Sequence, residues 1–121
     1  MSATTRHGLD LDALRRAVEE RDAAVQAANY AEDAVLETID HENPPSRPRT
    51  YRGREAITAY LGEVCARDMS HKVINAITDD RYAAYQVACE YPDGTRVLCS
   101  TFVELRDGRI VRERWLQAWD S

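Results

Sequence analysis

Lysine is almost absent from this chain: fifteen arginines stand against the single Lys72, and like charges never gather into a block. With a formal net charge of −5 there is no basic stripe to neutralise phosphates, so a nucleic-acid partner is not expected. Long apolar runs are missing too. No stretch approaches the ~18 apolar residues of a membrane-spanning helix, so no membrane association is expected, and the opening residues MSATTRHGLD lack the apolar core of a secretory signal. Cysteine is scarce and odd in number: Cys65, Cys89 and Cys99 lack metal-ligand spacing and read as reduced thiols of a cytoplasmic protein. Neither a glycine-rich phosphate loop nor a serine-nucleophile motif occurs. Asp40-His41-Glu42 carries ligand-type side chains, but neighbours on a loop rarely converge on one centre. No metal and no cofactor are expected.

What remains is an ordinary globular composition, 44% hydrophobic and 31% charged over 121 residues, enough for one domain with one core. Residues 1–8 read as a disordered tail and 9–121 as a single domain. From Leu9 to about Asn29 the pattern is helical, with Leu11, Leu14, Val18 and Val25 on one stripe. Asp10 and Asp12 are candidate N-caps, and Asp22 can cap a second short helix from Ala23 to about Tyr30. Ala34 to Ile39 starts a strand. The proline-rich DHENPPSRPRTY, Asp40 to Tyr51, reads as a loop. Gly53 to about Arg67 forms another helix, with Ala56, Ile57, Tyr60, Leu61 and Val64 as its apolar stripe. From His71 the period drops to two, with strands expected at about 71–78, 82–91, 95–105 and 109–119. Helices followed by hairpin-linked strands predict an α+β domain.

Turn chemistry assigns the faces. Tyr91-Pro92-Asp93-Gly94 suits a three-residue hairpin loop, which pairs Tyr91 with Thr95, Cys89 with Val97, Val87 with Cys99 and Tyr85 with Thr101 on one apolar face. Cys89 and Cys99 are then diagonal neighbours ~7–8 Å apart, too far for an unstrained disulfide. The turn Leu105-Arg-Asp-Gly-Arg109 admits two readings. A two-residue loop turns Arg112 and Arg114 inward; a three-residue loop turns Val111, Glu113, Trp115, Gln117 and Trp119 inward. Burying two unpaired arginines is the costlier outcome, so the three-residue loop is expected. The arginines then look outward, with Glu104 as a partner on that side, and Glu113 looks inward.

The segments Tyr30-Ala-Glu-Asp33, Tyr51-Arg-Gly-Arg-Glu-Ala-Ile57 and Asp107-Gly-Arg-Ile-Val111, in this order, resemble the nuclear transport factor 2-like superfamily. Within it the chain is most similar to the SnoaL-like proteins, relatives of polyketide cyclases and ketosteroid isomerases, over about Leu9 to Asp120. The resemblance implies a cone-shaped, cystatin-like α+β roll: a curved, mixed or antiparallel sheet around the N-terminal helices, enclosing an apolar pocket. It also implies a homodimer joined through the outer sheet face, here Leu98, Phe102, Ile110 and Leu116 among Arg96, Arg112, Arg114 and Glu104. Thr38, Leu14 and Thr101 stand where ketosteroid isomerases carry their base and polarising groups, so steroid isomerase chemistry is not implied. The arginine between two carboxylates of limonene epoxide hydrolases has no counterpart either. Glu113 is the one inward strand carboxylate that matches the acid of the cyclases.

The candidate acid–base residues are therefore Glu113, whose desolvation would raise its pKa toward a useful range, and His71, placed near the pocket floor as a proton shuttle. Trp115, Gln117, Trp119, Tyr85, Val87, Cys99, Thr101 and Tyr60 are the candidate substrate-binding residues. Each has a plain alternative: Glu113 bonded to Thr101 or to a rim arginine, His71 a satisfied structural residue, the aromatics simple core. Tyr91 shares the alternatives of Tyr85, and Tyr30 with Asp33 is read as fixing the helix-to-strand corner. Three functions stay open. The first is cofactor-free cyclisation, isomerisation or dehydration of a small hydrophobic carbonyl compound. The others are non-catalytic binding of a small hydrophobic molecule, or a structural dimer.

Overall fold

The computed structural model describes residues 8–120, so the expected tail of residues 1–8 lies, except for Gly8, outside the described residues. Gly8 is packed rather than loose. A Cβ there would lie 2.6 Å from the Asp79 carbonyl oxygen, and Leu9 beside it is buried.

The elements run α1 (Leu11–Glu19), α2 (Ala23–Ala27), β1 (Tyr30–Ile39), β2 (Arg49–Arg52), α3 (Arg54–Ala66), β3 (Ser70–Thr78), β4 (Tyr82–Glu90), β5 (Arg96–Arg106) and β6 (Arg109–Trp119). Asp10 caps α1 by accepting from the Ala13 amide, and Asp22 caps α2 through the Val25 amide. Between them Arg21 takes φ 56°, which breaks the rod. Leu14 and Val18 are buried, but Val25 is exposed, because a spacing of seven keeps one face only along an unbroken helix. α3 starts at Gly53, whose φ of 89° suits glycine and whose amide donates to the Ala34 carbonyl at 2.8 Å. Ile57, Tyr60 and Leu61 face the core. Ala56 does not: it sits about 100° round the helix from Ile57 and is exposed.

Two strand boundaries differ from expectation. β1 begins at Tyr30, where a helix end was expected, and β2 emerges from the proline-rich segment expected to be loop. β2 is short, lacks apolar alternation and lies at a sheet edge, where pattern alone is a poor guide. At the start of that segment Asp40 accepts from the Glu42 and Asn43 amides, so its carboxylate closes a turn.

The sheet order is β2-β1-β6-β5-β4-β3, parallel between β1 and β6 and antiparallel elsewhere. α1 packs on β3 at one edge and α3 on β1 and β2 at the other, with α2 touching both helices. A sheet whose two edges fold over one helical group has to curve, and irregularities in the β1–β6, β3–β4 and β5–β6 pairings supply the bends. This is the expected α+β architecture. Among the described residues, no helix is long and apolar enough to cross a membrane.

The β4–β5 hairpin has the derived register, pairing Cys89 with Val97, Val87 with Cys99 and Tyr85 with Thr101. The β5–β6 turn corrects the expectation. Arg106 faces Arg109 across a two-residue Asp107-Gly108 loop, with φ of 53° and 77°. Asp-Gly adopts this left-handed pair readily, and its twist suits a hairpin. On its own that loop would turn Arg112 and Arg114 inward. A bulge reverses it: Leu105 pairs with Ile110 and Glu104 with Arg112, leaving Val111 as the extra residue. Val103 then faces Glu113, Thr101 faces Trp115, Cys99 faces Gln117 and Val97 faces Trp119. The expected inner face is reached by a different route. Ile110, expected outside, is only 2% exposed, and Val111, expected inside, is the half-buried bulge residue. Outside, Leu98, Phe102 and Leu116 are exposed, and Arg114 forks onto Glu37 at 2.9 and 3.2 Å rather than pairing with Glu104.

Val111 is the one residue by which β6 exceeds its partner, so deleting it removes the bulge while Arg112 stays opposite Glu104 and Glu113 opposite Val103. The deletion should keep a cooperative thermal transition by circular dichroism, at a lower midpoint because the bend is lost, and Val111→Ala should melt close to the wild type. Loss of the cooperative transition in the deletion would contradict Val111 as the unpaired residue.

Candidate functional site

The inner face of the sheet brings Glu113 under three neutral donors. The carboxylate is 3% exposed, with Leu36 of β1 and Val103 of β5 as its strand neighbours. Tyr30 of β1 donates to Oε1. Trp115 donates from Nε1 to Oε2 at 2.8 Å, and the Tyr85 hydroxyl of β4 reaches the same oxygen at 3.3 Å. Neither Thr101 nor a rim arginine is its partner; Thr101 Oγ1 lies 3.7 Å from Cys99 Sγ. Burial pushes the Glu113 carboxyl above its usual value near 4.5, against the three hydrogen bonds, which favour the charged form. Burial, and then the charge of Glu113, push the Tyr30 and Tyr85 phenols well above 10.

Beside this cluster lies a cavity of about 80 Å³ between α1, α3 and the inner sheet face. Tyr60, Tyr85, Val87, Cys99, Thr101, Trp115, Gln117, Trp119 and His71 all line it. Glu113 does not. Tyr85 and Trp115, both bonded to it, stand between the carboxylate and the cavity. Aromatic contacts build the walls: Tyr60 stacks on Tyr51 at 4.1 Å and meets Trp115 at 5.6 Å, while Tyr91 stacks on Trp119 at 6.0 Å.

Register places the polar groups in separate rows. Tyr85, Thr101 and Trp115 are cross-strand neighbours in one row, and His71, Cys89, Val97 and Trp119 in another. Four residues of β4 separate the rows, about 13 Å along the strand. In the second row His71 Nδ1 lies 3.3 Å from Cys89 Sγ, and Nε2 is buried with no hydrogen-bond partner. Burial lowers the His71 pKa below 6.5, helped by the charges of Arg21 and Arg67, so the ring is neutral at pH 7. Burial likewise pushes Cys89 up to about 11 and Cys99 to about 12, which keeps both as thiols and makes neither a ready nucleophile.

Sequence reasoning missed Tyr30, Arg67, Gln26 and Met69. Tyr30 was hidden because β1 starts earlier than its apolar run suggests. The other three come from helix ends and the approach to β3, where no periodicity aims a side chain. Among the described residues, no group of three or more His, Cys, Asp or Glu side chains is placed to hold a metal. What the arrangement offers is proton chemistry: a neutral imidazole in one row, and in the other a phenol backed by a carboxylate of raised pKa.

The Glu113 cluster has two measurable consequences. A native carboxyl pKa above the unfolded value means that the folded state binds more protons between the two values. Stability should therefore fall as pH rises through that interval. Glu113→Gln lacks this fall, so in urea titrations the wild type should lose stability relative to the variant from about pH 4.5 upward. A pH-independent difference would contradict the raised carboxyl. Tyr30→Phe leaves Oε1 without its donor and should cost about 1–3 kcal/mol in the same titrations.

Comparison with known proteins agrees with the geometry. Among curated proteins no sequence relative matches. Among solved structures, a nuclear transport factor 2-like protein of unknown function from Mesorhizobium loti superposes with a TM-score of 0.77 at 17% identity, over 89% of this chain and 87% of its own. A candidate ketosteroid isomerase from Kribbella flavida gives 0.73 at 22% identity, over 92% and 75%. A cystatin-like protein from Silicibacter pomeroyi gives 0.72 at 18%, over 89% and 72%. At these identities the likeness is one of fold. The SnoaL-like domain model matches residues 11–113, most of the chain. On that match and this architecture, the chain belongs to the SnoaL-like domain family, within the nuclear transport factor 2-like fold.

Proposed function

We propose that the protein is a cofactor-free acid–base enzyme that cyclises, isomerises or dehydrates a small hydrophobic carbonyl compound. The observation that carries the reading is a carboxyl of raised pKa, with no cation bonded to it among the described residues, whose hydrogen-bond partner Tyr85 lines the cavity. In its protonated form Glu113 donates to the Tyr85 oxygen, and the phenol proton passes to a substrate oxygen as charge develops there. The net transfer runs from Glu113 to substrate, and the reverse path returns the proton. Tyr85 is the group that touches substrate in this scheme; Glu113 supplies the proton from behind it. His71, about 13 Å along the strands, meets the other end of the ligand rather than the same reacting atom. Family membership and the isomerase assigned to a structural relative favour this class of chemistry.

Proton exchange at the α-carbon of a panel of cyclic ketones in D2O, followed by NMR, reads this activity without a known product. Glu113→Gln and Tyr85→Phe should each slow exchange by roughly 10²-fold or more, while quenching of tryptophan fluorescence shows that ketone still binds. Unchanged exchange in Glu113→Gln removes the glutamate from the mechanism.

One observation favours a second reading, non-catalytic binding of a small hydrophobic molecule: the Glu113 oxygens are already held by Tyr30, Tyr85 and Trp115. A tight ligand recovered chemically unchanged after long incubation would select it. In either case the exposed outer face around Phe102 (55%) and Leu116 (53%) is proposed to join two copies of the chain. Phe102→Asp should then sediment as a monomer.

A further inference from the structure

We propose that the ligand of this cavity carries a carboxylate, or an equivalent anionic group, held by Arg67 and His71 at the end remote from Tyr85. This rests on the reading above that the cavity takes a small hydrophobic molecule, and adds a charge and a direction to it. Among the described residues the cavity lining contains one permanently charged side chain, Arg67, and no aspartate or glutamate. Arg67 is exposed and makes no ion pair among the described residues.

A second guanidinium lies close. Arg21 donates from Nη1 to the Arg67 carbonyl at 2.6 Å and reaches the Met69 carbonyl at 3.5 Å, so it is pinned beside the segment that carries Arg67. Two nearby carboxylates are committed to backbone amides. Glu19 accepts from the Val73 amide at 2.9 Å, and Asp22 caps α2 through the Val25 amide at 3.1 Å. Asp68, next to Arg67 in the chain, and Glu63, one helical turn before it, are exposed and pair with no cation among the described residues. Both guanidiniums act on His71, adding to burial in lowering its pKa, and of the two Arg67 lines the cavity.

His71 completes the site. With Nδ1 on the Cys89 thiol, its Nε2 is the one buried side-chain nitrogen or oxygen without a partner among the described residues. An orphan of this kind carries a desolvation penalty, which a ligand group bonded to it would recover. When Sγ–H donates to Nδ1, the remaining ring proton sits on Nε2, which makes it a donor for an anion. The bidentate geometry of a guanidinium suits a carboxylate, and an adjacent anion offsets the arginine field that adds to burial in keeping the ring neutral. The opposite row ends at Tyr85, about 13 Å along the strand, so the ligand is an elongated hydrophobic acid whose reacting oxygen lies far from its carboxylate.

The test compares 6-phenylhexanoate with 6-phenylhexanamide, which has the same shape and no charge, by calorimetry on the intact protein. The acid should bind roughly tenfold more tightly or better. Arg67→Gln should abolish that preference while leaving the amide within about twofold, and Arg67→Lys should restore part of it. In the wild type the His71 ring resonances should show its pKa rising when the acid binds. Equal affinity for acid and amide overturns the proposal, as does a preference that survives Arg67→Gln, or failure of the acid to bind at all. Ketone exchange is read separately. Loss of acid preference with exchange intact sinks this inference alone. Acid preference in a protein without exchange sinks the catalytic reading alone.

Discussion

A carboxylate buried without a cation has to be satisfied by neutral donors, and Glu113 draws its three from β1, β4 and β6. That requirement ties distant parts of the chain together. Tyr30 reaches Oε1 only because β1 runs parallel to β6 in the register that sets Leu36 beside Glu113. Tyr85 reaches Oε2 only because the β4–β5 hairpin sets it beside Thr101, itself opposite Trp115. A slip of one residue in any of these pairings would strand a charged group in the core, at a penalty comparable to a large share of a small domain's stability.

The bulge at Val111 reconciles this requirement with the turn. The Asp107-Gly108 loop is locally favoured, yet it alone would put arginines where the carboxylate belongs. One extra residue in β6 absorbs the conflict and sharpens the twist of the sheet. The same bend helps carry the sheet around the helices, which is what leaves a cavity between them. Satisfying the glutamate and forming the cavity are thus two results of one geometry.

Chemically, the site is divided. Tyr85 and Trp115 form a wall backed by Glu113, while His71 and Cys89 occupy the other row, within the field of Arg21 and Arg67. Burial acts on each group in its own direction. It raises the carboxyl, phenols and thiols and lowers the imidazole, in each case favouring the neutral form. Such a lining favours proton transfer over nucleophilic attack.

Much of this was legible in the chain before any coordinates. Asp10 and Asp22 announce the two helix starts, the Pro-Asp-Gly turn determines the β4–β5 register, and period-two alternation puts Glu113, Trp115, Gln117 and Trp119 on one face. These are local matters, decided by backbone preferences and by the cost of burying charge. Three things were not local. The loop of Arg106 to Arg109 and the bulge that compensates it can be told apart from a longer loop only when both strands are in place, since both give the same face. Tyr30 and Arg67 join the site from segments without a repeating pattern. The place of Glu113 behind Tyr85, rather than in the cavity, depends on how four strands curve together. Sequence determines which way a side chain points along its own strand. Which groups meet across the sheet depends on curvature, and curvature belongs to the assembled fold.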